Sequence, residues 1–407
     1  MGKKRNHRTR PARLARLARL CAGAGRCGQR PLQASRTWRA RLCALACALA
    51  LCVAAAPPAS ALDVSAESAV LYDAAGDTFL YEKNADARML MASITKMMTA
   101  LVVLEQCNLE DVVAVPASCV GVEGSSMSLE EGEQLTVEEL IYGMLLLSGN
   151  DAAAALAVHT AGSIEDFAAL MNGKAEALGL QNSHFANPHG LNDDANYASA
   201  RDLAYIAAEA MRTPTFRTVT ATKTIQTAGR DMRNHNKLLW DYEGTVGGKT
   251  GYTIKAGRCL VSMAERNGRM LIAVTLKAPD DWNDHKTLYD MGFAHFTQRT
   301  LCAQGEVLAR VPVVSGLSGL APVRAEEKLT ATLSDGEWAR VETKFSLPWF
   351  AWAPVFRGDA AGRVRYVVDG RTVGETRLYY ETGVEVYLPA EKTLGEKIAG
   401  FFGRDAA

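Results

Sequence analysis

Ser93 and Lys96 stand three residues apart in the run MASITKMMTA, residues 91–100. Positions i and i+3 share a helix face, which holds the hydroxyl beside the amine. A serine hydroxyl is a weak nucleophile until a base takes its proton. Lysine can be that base only when neutral. The apolar neighbours Met97, Met98 and Leu101 desolvate it and push its pKa down, and a second cation nearby pushes it further. Two more patterns follow in chain order: Ser148-Gly149-Asn150 and Lys249-Thr250-Gly251. Lys249 is the natural second cation. On a strand, Lys249 and Gly251 share one face and Thr250 takes the other. Lys249 and the Thr250 hydroxyl suit a substrate carboxylate, and Gly251 leaves room for a substrate backbone. Ser148 can relay a proton between Lys96 and a leaving amine, and Asn150 can orient Lys96 and a substrate amide. An oxyanion needs backbone N–H donors, for which Ser93 and Tyr252 are the candidates. Taken singly, each pattern is a surface pair, a helix stop or a strand end. Each occurs once, and in this order they specify acyl transfer through a serine.

The elements that must position these groups read as follows. SAVLYDAAGDTFLYEKNAD (68–86) is a hairpin turning at 74–77. Residues 93–107 are a helix, apolar almost all round and therefore central. Thr136 and Glu139 form a capping box that opens a helix ending at Leu147. Helix resumes at 151–161, which puts Ser148–Asn150 in a tight corner. After the loop NPHGLNDDAN (187–196) comes helix 198–211. From about 215 the texture turns β-like, with strands at 245–253, 257–265 and 270–278, and a helix at 284–296 closes the region. Strands, helices, then strands again predict an α+β domain on a largely antiparallel sheet. Residues 305–388 alternate apolar and polar, with Asp369-Gly370 as a hairpin signal, and read as a small β domain. Met97, Met98, Met144, Trp338, Trp349 and Trp352 read as core or interface residues, and His189 as a loop-ordering residue.

Charge and composition bound the function. Residues 1–61 hold 13 of the 45 Lys and Arg and no Asp or Glu, which leaves 32 basic against 45 acidic residues in the body. A body of net −13 is a poor match for nucleic acid phosphates. The basic leader runs into a 15-residue apolar stretch (42–56) and a small-residue exit, Ala59-Ser60-Ala61. That is the pattern of a secretory signal peptide, so an exported chain beginning near Leu62 is expected. Cys107, Cys119, Cys259 and Cys302 remain after it. They allow three disulfide connectivities, none of which a domain this large requires. The seven histidines lack metal-ligand spacing, no metal or cofactor is expected, and no G-x-S-x-G elbow is present. In EKTLGEKIAGFFGR (391–404), Leu394, Ile398, Phe401 and Phe402 share a helical face while the charges cancel. Such a helix either docks on the protein or lies in a membrane interface.

The blocks SITKMMTA, LLLSGNDAAAALA, NPHGL, GGKTGYTIKAGRCLVSMA and DHKTLYDMGF resemble those of the serine-type D-alanyl-D-alanine carboxypeptidases, the low-molecular-mass penicillin-binding proteins. S-x-x-K, S-x-N and K-T-G stand in the order shared by penicillin-binding proteins and class A β-lactamases. The resemblance implies a penicillin-binding/β-lactamase-like transpeptidase fold, with residues 1–61 as signal peptide, 62–302 catalytic, 303–388 a small β-rich domain and 389–407 an amphipathic helix. It implies an extracytoplasmic enzyme that removes the terminal D-alanine from peptidoglycan stem peptides through a Ser93 acyl-enzyme. Lys96 would be the proton acceptor and Lys249 a substrate-binding residue, and β-lactams would acylate the same serine. Tyr252 stands where the family often has histidine. A class A-like β-lactamase is the second reading, disfavoured by the lack of a suitable Glu for deacylation and by the extra β domain. A non-catalytic peptidoglycan-binding protein is the third. An endopeptidase acting on crosslinks fits the same motifs.

Overall fold

The computed structural model describes residues 62–388 and Leu394. The leader expected at 1–61 and, apart from Leu394, the C-terminal helix expected at 389–407 lie outside these residues. No described helix is long and apolar enough to cross a membrane.

Five strands form the central sheet, in the order Thr78–Lys83, Ser68–Asp73, Arg269–Leu276, Gly257–Arg266, Thr245–Thr253. Every neighbouring pair is antiparallel. The inner strands are nearly continuous Val, Leu, Ile and Ala because both faces are covered. Helices Ala200–Ala210 and Asp281–His295 pack against the sheet. Helices Lys96–Gln106, Val137–Leu146, Asn150–Ala161 and Ile164–Ala177 complete one large core. Thr245–Thr253 is an edge strand, so the segment carrying Lys249-Thr250-Gly251 keeps one side free.

The capping box at Thr136 and Glu139 is formed in both directions. One helix falls where no element was read, and another departs from expectation. Ile164–Ala177 starts from Ser163, whose hydroxyl accepts from the Asp166 N–H. Pro214–Ala221 is helical where a β-like texture was expected. Its three threonines, Phe216 and Val219 favour strand, but Pro214 sits at the tolerated first position, and Phe216, Val219 and Thr220 bury one helical face.

The C-terminal part is a six-stranded sheet beside a two-stranded pair. Asp369 and Gly370, both at positive φ, turn its main hairpin. The strand Phe296–Cys302 pairs with Leu329–Ser334, so pairing with the β-rich part begins before the boundary read at 303. Helix Asp281–His295 runs straight into this strand with no Gly or Pro between them, which hid the change. Asp73 joins the two parts. One carboxylate oxygen accepts from Arg269 Nε at 2.7 Å and from the Thr332 hydroxyl at 2.9 Å. The other accepts from the N–H groups of Ala75 and Gly76. Arg269 also donates to the Phe296 carbonyl. Cys107, Cys119, Cys259 and Cys302 are all free thiols. Trp338, Trp349 and Trp352 are not core residues: their exposures are 38%, 94% and 64%.

Candidate active site

Residues 92–95 form a single 3₁₀ turn ahead of helix Lys96–Gln106. Ser93 is thereby carried at the helix entrance while Lys96 is fully buried. The Lys96 amine lies 2.9 Å from Ser93 Oγ, 2.6 Å from Asn150 Oδ1 and 2.6 Å from the His189 carbonyl oxygen. A carbonyl and an amide oxygen can only accept. A neutral amine spends its two N–H groups on them, which turns its lone pair toward the Ser93 hydroxyl. The Asn150 amide is itself fixed, because its NH₂ donates to the Glu123 carbonyl.

Burial holds the Lys96 pKa well below the ordinary lysine value, and the neighbouring Lys249 lowers it further. Lys249 is 1% exposed, and burial brings it to about 7. Its amine donates to Ser148 Oγ at 2.9 Å and to the Thr250 carbonyl at 2.8 Å. The sequence reading expected Lys249 as the second cation beside Lys96 and as a group for the substrate carboxylate; in the structure its amine is turned to Ser148. Ser148 occupies the interhelical corner at φ +62° and Ala92, just before the nucleophile, lies at φ +49°. Such conformations in non-glycine residues cost about 1–3 kcal/mol each and persist where surroundings enforce them.

The enforcement is visible. The loop 187–191 crosses the start of the nucleophile helix, with the Thr99 hydroxyl donating to the Pro188 carbonyl at 2.6 Å. Gly190 has φ +86°, and a Cβ there would meet the Ala92 carbonyl oxygen at 2.0 Å. The opposite wall is equally close: a Cβ on Gly251 would lie 2.9 Å from the Met91 carbonyl oxygen and 3.1 Å from Ser93 N. Gly251 is thus required by packing against the nucleophile turn, whereas the sequence suggested room for substrate. Asp151 accepts from Ser126 Oγ and from the N–H groups of Met127 and Leu129. It ties the loop bearing Ser125 to the helix that begins at Asn150.

Ser93, Ser148, Thr250, Gly251 and Tyr252 line one cleft of about 300 Å³. The eight candidate residues therefore converge, Lys96, Lys249 and Asn150 lying behind this lining. The Tyr252 side chain is 66% exposed, which fits a role for its backbone. Sequence reasoning missed the far wall, made by His235, Lys237, Arg258 and Trp282. Arg258 is held by Asp281 in a two-pronged pair, 2.7 and 3.0 Å from Nη2 to the two carboxylate oxygens. It stacks 5.7 Å from the Trp282 ring centre. An arginine opening an otherwise apolar strand, GRCLVSMAE, was the available signal. The His189 and Glu123 carbonyls left none, being backbone atoms.

His189 is brought down to about 4 by burial and by Lys96, and its ring accepts from the Leu191 N–H. It stays neutral and orders its loop. A second serine–histidine contact, Ser262 Oγ to His285 Nδ1 at 2.6 Å, lies wholly inside the core and meets no substrate. A larger groove of about 1000 Å³ runs past Tyr72, Tyr205 and Arg217 and contains none of these groups. Among the described residues no three His, Cys, Asp or Glu side chains gather as a metal site.

Residues 53–280 match the family model described as D-alanyl-D-alanine carboxypeptidase, and residues 296–386 match the C-terminal domain of penicillin-binding protein 5. The chain is similar to D-alanyl-D-alanine carboxypeptidase DacA of Escherichia coli (strain K12), at 35% identity over 77% of this chain and 82% of the relative. It is similar to D-alanyl-D-alanine carboxypeptidase DacF of Bacillus subtilis (strain 168), at 32% over 78% and 85%. The solved structure of penicillin binding protein 5 from Haemophilus influenzae superposes with a TM-score of 0.68 at 31% identity, covering 81% of this chain and 99% of that one.

Proposed function

We infer the chemistry of the cleft from a plain premise: the chain belongs to the D-alanyl-D-alanine carboxypeptidase family. It is a serine-type carboxypeptidase acting on peptidoglycan, outside the cytoplasm, and a penicillin-binding protein. A β-lactamase role is not favoured.

The proposal concerns which groups do the work. Ser93 Oγ attacks the carbonyl carbon of the penultimate D-alanine while Lys96 takes its proton. Backbone N–H groups of Ser93 and Tyr252 receive the oxyanion. Collapse breaks the peptide C–N bond, and the proton taken up by Lys96 passes by way of Ser148 to the departing D-alanine amine, which leaves Lys96 neutral again. Water then attacks the Ser93 ester, again with Lys96 as base, and frees the enzyme. A β-lactam carbonyl follows the first half of this route. Asn150 holds Lys96 in place from behind the lining, its own amide fixed by the Glu123 carbonyl. Thr250 and the exposed guanidinium of Arg258 receive the terminal carboxylate, and Lys249 adds its field from behind Ser148. The observation that carries the reading is Lys96, buried, with two oxygen acceptors occupying its N–H groups and Ser93 Oγ 2.9 Å away.

A Ser93→Ala protein is expected to lose fluorescent-penicillin labelling and D-alanine release from a soluble pentapeptide; retained labelling refutes the nucleophile. Running the same assay on a crosslinked dimer separates carboxypeptidase from endopeptidase preference. The basic leader and its apolar run support export by signal-peptide removal near Leu62.

A further inference from the structure

The β-rich part carries an apolar edge that the catalytic reading does not use. Three segments meet there. Val313 and Val314 pair in parallel with Ala351 and Trp352. Val355 and Val384 exchange backbone hydrogen bonds, and the N–H groups of Leu317 and Tyr387 donate to Glu385 and Ser315. Along this edge Trp349 is 94% exposed, Leu317 65%, Trp352 64%, Phe356 62% and Tyr387 58%. Phe350 packs edge-on against Trp352, ring centres 5.6 Å apart, and is itself 45% exposed. The stretch LPWFAWAPVF (347–356) has no ionisable residue, and across 313–317, 349–356 and 384–388 the only acidic or basic side chain is Glu385. A patch this apolar is rarely left facing water.

We propose that this aromatic edge is a membrane-docking face that inserts into the headgroup region of a lipid bilayer. Tryptophan with other aromatics is the composition that favours a membrane–water interface. The described chain also leaves this same edge at Leu388, and the sequence beyond it, EKTLGEKIAGFFGR, is expected from its spacing to be an amphipathic segment whose charges cancel. One such segment without cationic attraction anchors weakly, and stable attachment takes two signals. The aromatic edge would supply the second, at the point where the described chain leads toward the first. Because neither is cationic, attachment is driven by apolar burial and is indifferent to lipid charge and to salt.

The test uses the host-processed full chain with zwitterionic phosphatidylcholine vesicles and with vesicles containing anionic phosphatidylglycerol. Wild-type protein is expected to float with both, at low and high salt. The triple substitution Trp349→Ser, Phe350→Ser, Trp352→Ser is expected to weaken partitioning about tenfold or more, with penicillin labelling and thermal midpoint unchanged. Brominated lipids are expected to quench wild-type tryptophan fluorescence, and the quenched fraction should vanish in the Trp349→Phe, Trp352→Phe pair, which keeps the apolar bulk. Equal partitioning of wild type and triple variant overturns the proposal. So does quenching that survives in the Phe pair. Binding only to anionic vesicles and lost in salt points to a different surface and overturns it as well. A crosslink between positions 352 and 398 that persists with vesicles present overturns it in favour of the tail covering the edge.

Discussion

Lys96 and Lys249 are 0% and 1% exposed, whereas Trp349 and Trp352 are 94% and 64% exposed. The catalytic part buries what normally stays wet, and the β-rich part bares what normally stays dry. The buried amines are satisfied from inside, by Ser93, Asn150, the His189 carbonyl, Ser148 and the Thr250 carbonyl. The bared rings have no such partner set beyond one ring–ring contact. The first departure is completed among the described residues, and the second is not. Locating a function from such departures works because each costs stability unless something compensates it.

The contrast can be broken most severely at Lys96. Lys96→Ala is expected to slow acylation by penicillin about 10³-fold, read from labelling kinetics. Little loss would mean that the buried amine is structural. Next comes Gly190→Ala, which drives a methyl into the Ala92 carbonyl from a left-handed backbone. It is expected to cost about 3 kcal/mol or more, measured by denaturant unfolding, and to lower acylation with it.

Lys249→Met sharpens the electrostatic half. Lys249 titrates at about 7 in the fold and at about 10.4 in an unfolded chain. Between those values the unfolded chain binds the extra proton, so this group makes stability rise with pH, by up to about 1.4 kcal/mol per unit. The substitution should remove that rise in urea titrations between those limits. It should also free Lys96 from a repelling cation, raise its pKa and move the alkaline-rising limb of acylation to higher pH. The smallest expected effect lies on the β edge. Trp349→Ser should change unfolding free energy by no more than about 0.5 kcal/mol and leave D-alanine release from a soluble pentapeptide unchanged. A large loss of stability would show that the ring belongs to a core after all.

The residues with chemistry were legible because their spacing is local. Ser93 and Lys96 are one turn apart, Ser148 and Asn150 share a corner, and Lys249 through Tyr252 share a strand. The hairpin at 68–83, the capping box and the antiparallel sheet were legible for the same reason. What escaped depends on contact between distant segments. The His189 carbonyl reaches Lys96 across 93 residues, and no residue type announces a carbonyl. Arg258 and Asp281 form a wall only once strand and helix meet. Helix Pro214–Ala221 overrode its own β-prone composition by burying Phe216 and Val219. For the tryptophans the sequence left core and interface both open, because composition says that a ring is apolar and cannot say which side of the sheet faces solvent; their exposure removes the core reading.

The Asp73 junction has a mechanical meaning. One carboxylate holds Arg269 of the central sheet, Thr332 of the β-rich part and the hairpin turn together, which ties the two parts at this point. Swinging the cleft relative to the β-rich part would have to break these hydrogen bonds first. If the β edge docks as proposed, this tie helps to set how far above the lipid the cleft stands.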